Sequence, residues 1–532
     1  MRHEPFSDIT LSLYEREYAT RHLLHGVVDH WAAIKPQEPA VINATRGTTL
    51  TWAELNGHSR AMAAELARMG FKKGDRLATS MPLLTEHILL EYACFRLGVI
   101  HAPLDPRLSQ AELIRSLELI EPKGYWGFAD YAPLREACPF VEHFIDFASF
   151  AASARANGGQ GAALPRIEAG DPAQIIFTTG STGMPKAALL THRGITAQNL
   201  CLGTGFEFDG ARVMVNLPPS HVGCQSELLM TTFFFGGTAV TLEVFDAALT
   251  LEAIERHRVR LLGQIPAMFN LLWRHSSYAA RDLSSLGVAV YGGQSVPRGF
   301  LDQLRTMAPK IGTGLGLTEC SGFCTYTPLS PEPEDIDGTL GFAMPLYPMS
   351  VRAPMKSDGR AGEELAAGEV GHVCFRGPQN FAGYYRNPEA TAAALSNDGY
   401  LYTGDLGSVD GRGLRFCGRA KFVIKPAGYQ VFPGEVEAHI ALLADQVASV
   451  GVVGVPHPVF SEAIVAFVEK KPGAALTEAE LRRHARLLTG YKRPMKYVIV
   501  EAGQMPLNRV AKVDTLRLIE EAKGLEIVAA DQ

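Results

Sequence analysis

QIIFTTGSTGMPK, residues 174–186, passes within a few positions from a short apolar run to hydroxyls and glycines and ends on a lysine. Gln174, Ile175, Ile176 and Phe177 have the character of a buried strand. Thr178, Thr179, Gly180, Ser181, Thr182, Gly183 and Lys186 then supply what an anion needs: mobile backbone N–H groups, hydroxyl donors and one positive charge. The composition suits a polyphosphate. It is not the familiar G-x-x-x-x-G-K-[ST] loop, because five residues separate Gly180 from Lys186 and Ala187 follows the lysine. Pro185 also removes a backbone donor where that loop would begin its helix. An ordinary hairpin turn has a similar composition, so the stretch alone leaves both readings open.

Around it, strand-like runs alternate with helical spacing. Residues 83–96 have helical periodicity. Residues 173–177, 259–265 and 286–291 read as strands, the last two closed by Pro266 and by Gly292-Gly293. This alternation predicts layered α/β structure. Residues 151–162, AASARANGGQGA, read as a surface loop or linker. Residues 230–242 read as a buried strand with its turn, too short to span a bilayer. After Lys421 the segment KPAGYQVFPGEVE is rich in turn formers, and about a hundred residues remain, the size of a small domain. The expected boundary divides residues 1–420 from 421–532.

At 532 residues the chain is too long for one core, and 47% hydrophobic residues can fill several. A net charge of -6 gives no overall basic field for nucleic acid or an anionic membrane, which favours small-molecule chemistry. The eight cysteines contain no C-x-x-C pair and are expected as reduced, mostly buried thiols, with Cys320 and Cys324 able to share a helix face. The N-terminus has no apolar signal segment, so a cytoplasmic location is expected.

Four more stretches supply groups that nucleotide chemistry uses. Gly314-Leu315-Gly316-Leu317-Thr318-Glu319 offers a hydroxyl and a carboxylate, suited to a phosphate oxygen and to one ligand of Mg²⁺. Asp405, in YTGDL, can accept from both ribose hydroxyls. Arg419 offers a guanidinium near the expected boundary, and Lys512 lies in PLNRVAK near the C-terminus. Singly, each is as well explained as an ordinary surface residue. Together, in this order, they point to one site.

With these motifs the sequence resembles the acyl-adenylate-forming superfamily, which includes acyl-CoA synthetases, peptide-synthetase adenylation domains and firefly luciferase. Nearly the whole chain takes part, from LTWAEL at residues 50–55 and PLDPRL at 103–108 to Lys512. Further matches are LPPSHVG at 217–223, Gly292-Gly293-Gln294, RGP at 376–378, Gly383-Tyr384-Tyr385 and PGEVE at 433–437. The resemblance implies an α/β fold with a large multi-subdomain N-terminal domain of mixed sheets layered by helices. A small mobile α+β C-terminal domain would follow, hinged at Lys421 and carrying the catalytic lysine, Lys512. It implies ATP, Mg²⁺ and coenzyme A. Residues 178–183 and Lys186 would embrace the β- and γ-phosphates, residues 292–294 and 314–318 would line the nucleotide, and Asp405 and Arg419 would complete it. Glu319 would bind the metal, with Thr318, His221 and Lys512 serving the chemistry. Leu315 stands where the family usually has an aromatic residue, Phe422 replaces an acidic one, and Ala511 replaces a glycine.

The acyl pocket implied by the resemblance is His221, Val222, Gly223, Cys224, Tyr291, Leu315 and Leu317, an apolar and partly small set. Amino-acid-activating relatives place an aspartate near the position of His221. Glu227 is the nearest acid here and serves that purpose only if it points inward. The expected substrate is therefore a hydrophobic carboxylic acid: alicyclic, aromatic, or of short to medium length. About twenty residues follow Lys512, so a diffusible thiol, CoA, is the expected acceptor, with Gly428, Lys492 and Arg493 as weaker candidates for contacts to it. A separate acyl-carrier protein is the alternative acceptor, and a non-catalytic nucleotide sensor the alternative of another class. A homodimer is also compatible with this family.

Overall fold

The computed structural model describes residues 5–128, 130–158, 164–179, 185–507 and 513–527. Two largely parallel sheets form the body of the large domain. The first runs, in spatial order, Lys310–Gly312, Val288–Tyr291, Leu261–Gln264, Arg212–Val215, Thr238–Thr241, Pro39–Asn43 and Thr48–Thr51, with only the last pair antiparallel. The second runs His143–Phe144, Gly124–Gly127, Arg76–Ser80, Ile100–Pro103, Pro172–Thr179 and Pro185–Thr191, again ending in an antiparallel pair. Crossover helices cover both, as parallel pairing requires.

The main core shows why the helices lack a polar face. Every residue from His87 to Leu97 in the helix Thr85–Leu97 is buried, and so is most of His192–Gly205. Helices enclosed on all sides carry apolar residues around their whole circumference. Several buried polar groups there are paired: Glu91 Oε1 lies 3.0 Å from His101 Nδ1 and accepts from Gln174 Nε2 at 2.6 Å. Thr79 Oγ1 bridges His87 and His101, at 2.8 and 3.0 Å. Gln174 opens the run that leads to the phosphate-loop candidate.

An antiparallel sheet follows, Met349–Arg352, Gly371–Phe375, Leu401–Asp410 and Gly413–Arg419. The smaller C-terminal domain has the strands Val447–His457, Ser461–Lys470 and Lys496–Val500 with the helices Pro433–Ala441, Glu478–Ala485 and Thr515–Lys523. The whole is a mixed α/β protein with one large and one smaller domain. Among the described residues no helix is long and apolar enough to cross a membrane.

Three local expectations are corrected. Residues 151–157, read as a linker, complete the helix Phe147–Asn157; Asp146 caps its N-terminus and it buries Phe150, Ala151 and Ala154. Alanine favours helix, and two buried alanines one turn apart give this segment a packing face. Residues 230–242 are helical first: a π-helix ends at Met230, Thr231–Phe234 continues, and only Thr238–Thr241 is strand. β-branched content misled there because tertiary packing overrides propensity. Cys320 and Cys324 share no helix face, because the strand Gly322–Phe323 separates them. All eight cysteines are free, and seven are buried.

Candidate active site

The phosphate-loop candidate begins and ends on the antiparallel pair Pro172–Thr179 and Pro185–Thr191, with Thr178 opposite Lys186. Residues 180–183 and Lys512 lie outside the described residues. Lys186 is anchored where it leaves the hairpin: its Nζ sits 4.9 Å from the centre of the Tyr384 ring. The segment carrying Tyr384 runs beside the hairpin, Ala188 bridging Tyr384, Leu189 N donating to Gly383 O, and Tyr385 N to Ala187 O. The Tyr384 hydroxyl donates to Glu319 Oε1 at 2.6 Å, and Phe381 N donates to Glu319 O at 2.9 Å. One tyrosine thus joins the lysine of the loop to the proposed metal ligand. Burial, followed by the charge of Glu319, pushes the Tyr384 hydroxyl well above the ordinary tyrosine range, so it remains a donor.

Asp405 and Arg419 face each other across neighbouring strands, and their side chains pair at 3.0 Å. Asp405 is 1% exposed, whereas the Arg419 side chain is 47% exposed and also donates to Thr403 O. Lys421 follows in the 3₁₀ turn Ala420–Phe422. Partial burial lowers its pKa, as do the charges of Arg419 and Lys186.

The GLGLTE stretch is held between two elements. Leu315 N donates to Thr325 Oγ1 at 2.9 Å, Gly316 and Leu317 pair with Phe323 and Gly322, and Thr318, Glu319 and Cys320 form a 3₁₀ turn. Gly314 admits no side chain, since a Cβ there would stand 1.9 Å from Thr325 O. Gly292, Gly293 and Gln294 leave the C-terminal end of the parallel strand Val288–Tyr291, the usual position of ligand sites in such sheets.

Of the residues expected around the acyl group, His221 is exposed, Val222 and Cys224 are buried in the main core, and Leu315 and Leu317 are half-buried beside it. Tyr291 departs from this group: its ring packs against Phe300 in the second core. Glu227 points inward, its carboxylate lying against Gly316 and Gly223. The weaker CoA candidates have other partners. Lys492 pairs with Glu435, and Arg493 donates to Leu488 O and Arg486 O at 2.9 and 3.0 Å. Gly428, in the left-handed region at φ +84°, precedes Tyr429, which stacks on Tyr491 at 4.3 Å and so approaches the Lys492 segment. Tyr384 received no role from the sequence, although the G-Y-Y stretch that contains it was a signal.

The fold and this constellation define an adenylate-forming enzyme. Residues 28–385 match the AMP-binding enzyme family, residues 435–512 match the AMP-binding enzyme C-terminal domain, and the chain belongs to that family. It is 31% identical to a feruloyl-CoA synthase from Amycolatopsis over 87% of this chain and 92% of that one. It is 28% identical to a long-chain-fatty-acid–CoA ligase of Salmonella typhimurium over 93% and 94%. The ATP-bound MatB of Rhodopseudomonas palustris superposes with a TM-score of 0.81 at 25% identity, covering 93% of this chain and 99% of its own.

Proposed function

We propose that the chain activates a carboxylic acid with a hydrophobic body, using ATP, to an acyl-adenylate and passes the acyl group to coenzyme A with release of AMP and pyrophosphate. AMP-forming acyl-CoA ligation is the class its relatives share, and both the feruloyl and the long-chain acyl ligases are named for products joined to CoA. The observation that carries the reading is Tyr384, which holds Lys186 and Glu319 in a single cluster.

Carboxylate attack on the α-phosphorus brings two anions together, so positioned cations lower its barrier most. Lys186 and Arg419 would hold phosphate charge, Lys512 would approach the reacting carboxylate, and Asp405 would accept from the ribose. Glu319 gives a hard oxygen donor held by Tyr384, and among the described residues no cluster of three His, Cys, Asp or Glu ligands exists. One carboxylate plus substrate oxygens suits Mg²⁺, which keeps most of its waters and, when bound, would neutralise phosphate charge. The small domain, hinged at Lys421, would turn between the two steps. A cytoplasmic location and a homodimer belong to the same proposal.

The test is pyrophosphate release across a panel of carboxylic acids with ATP and Mg²⁺, followed by thioester formation on adding CoA. Both are expected. Acyl-adenylate that ignores CoA and acylates a carrier protein would move the acceptor to that protein, and ATP binding without any acyl-adenylate would leave a sensor.

A further inference from the structure

The hairpin that carries Thr178, Thr179 and Lys186 is joined to the rest of its sheet at one place. Elsewhere in that sheet strands pair in runs, as Arg76–Ser80 does with Ile100–Pro103, from Arg76 opposite Ile100 to Thr79 opposite Pro103. Among the described residues the strand Pro172–Thr179 meets Ile100–Pro103 at a single registered position, His101 opposite Gln174. Its other neighbour, Pro185–Thr191, belongs to the hairpin itself. Gly383 and Tyr385 supply backbone bonds on the outer side of the hairpin, so on the inner side the backbone pairing depends on His101 and Gln174.

Side chains at opposed positions of a parallel pair leave the same face of the sheet. Here both reach one atom. Glu91 Oε1, on the helix Thr85–Leu97, lies 3.0 Å from His101 Nδ1 and accepts from Gln174 Nε2 at 2.6 Å, and all three residues are at most 1% exposed. His101 is held at its other nitrogen as well, where Thr79 Oγ1 stands 3.0 Å from Nε2. The carboxyl group thus bridges two strands where the backbone ladder between them is shortest. Burying it is costly, and an apolar side chain would fill the same space. What it adds is direction: hydrogen bonds fix distance and angle, whereas apolar contact lets one strand slide along the next. Thr178 lies four residues beyond Gln174, about 13 Å along the strand, so a change of register at Gln174 is carried to the phosphate-binding end.

We infer that Glu91 is a positioning residue for the polyphosphate of ATP: by tying Gln174 to His101 it sets where Thr178, Thr179 and Lys186 meet the β- and γ-phosphates. The inference rests on the phosphate-binding reading of that hairpin and adds to it a buried residue from another element.

The test compares ATP with AMP, which lacks those two phosphates, by titration calorimetry on the full chain in the presence of Mg²⁺. Glu91→Leu should weaken ATP about tenfold or more, the effect of one lost hydrogen bond to a charged phosphate, and leave AMP affinity unchanged. Glu91→Gln, whose amide oxygen still accepts from Gln174, should bring ATP affinity back to near its normal value. Gln174→Leu, a milder change that keeps the Glu91–His101 contact, should weaken ATP with the same selectivity, so the outcome does not hang on Glu91→Leu folding. Equal losses for ATP and AMP would mark a merely structural role. Those losses, an unchanged ATP affinity in the leucine variants, or a Glu91→Gln as weak as Glu91→Leu would each overturn the inference. Failure of the phosphate reading looks different: Lys186→Ala binds ATP as tightly as the unaltered chain does, which overturns both.

Discussion

The 2.6 Å contact between the Tyr384 hydroxyl and Glu319 gives one oxygen a large influence. Tyr384→Phe keeps the ring under Lys186 and removes only the donor. A hydrogen bond to a charged group contributes about 1.5–3 kcal/mol, so adenylation should slow by about tenfold or more while the melting temperature holds. Pyrophosphate release titrated against Mg²⁺ checks this, and an unchanged rate and Mg²⁺ dependence would deny the tyrosine a part in the site. Lys512 calls for a different experiment. If it acts only in the first step, Lys512→Ala should reduce adenylation by about 10²–10³, the usual effect of a positioned electrostatic group. Pre-formed acyl-AMP and CoA should still give thioester at nearly the normal rate. Equal losses in both half-reactions would show that the lysine is not confined to one step.

The GLGLTE stretch works as an element because the backbone on either side of Gly314 is fixed. Gly314→Ala would drive a Cβ into Thr325 O, a backbone atom that cannot step aside, and should displace Leu315 to Glu319 together. Loss of ATP-dependent stabilisation in a thermal melt is expected, together with a lower melting temperature in the absence of nucleotide. Retained nucleotide binding would mean that the two strands slide apart at little cost. Much of this element could be read in advance: local composition marked residues 178–186 and 314–319, and hydrophobic period marked the strand Pro172–Thr179 and the helix Thr85–Leu97. What could not be read depends on register and turn type. Tyr384 meets Glu319 across a separation of 65 residues, and no local pattern encodes that. The direction of Glu227 follows from a π turn, which the 3.6-residue period does not anticipate. Tyr291 packs in the second core, apart from Val222 and Cys224, and strand alternation gives two faces without saying which core each face meets.

At the scale of the molecule, buried titratable groups set the response to acid. Burial lowers His87 from 6.5 to about 4, and His101 and His192 to about 3, while it raises Glu91 from 4.5 to about 7. Below pH 6.5 the unfolded chain takes up three protons that the folded chain refuses, so these histidines stabilise the fold above that pH and cease to do so as pH falls. Glu91 acts in the opposite sense, because between pH 7 and 4.5 the folded chain holds a proton that the unfolded chain releases. For these four groups the net difference is two protons, or about 3 kcal/mol per pH unit where it is fully developed. The melting temperature should fall from pH 6.5 toward 4.5, and a flat profile to pH 5 would contradict the buried neutral histidines. The segment that carries Tyr384 has a second consequence. Pro185–Thr191 is the outermost strand of its sheet, and an uncovered outermost strand is a template for pairing with another chain. Gly383 and Tyr385 occupy its free side. During synthesis that strand emerges long before its cover does, so the unfinished chain is exposed to self-association until the residues that will later steady Glu319 arrive.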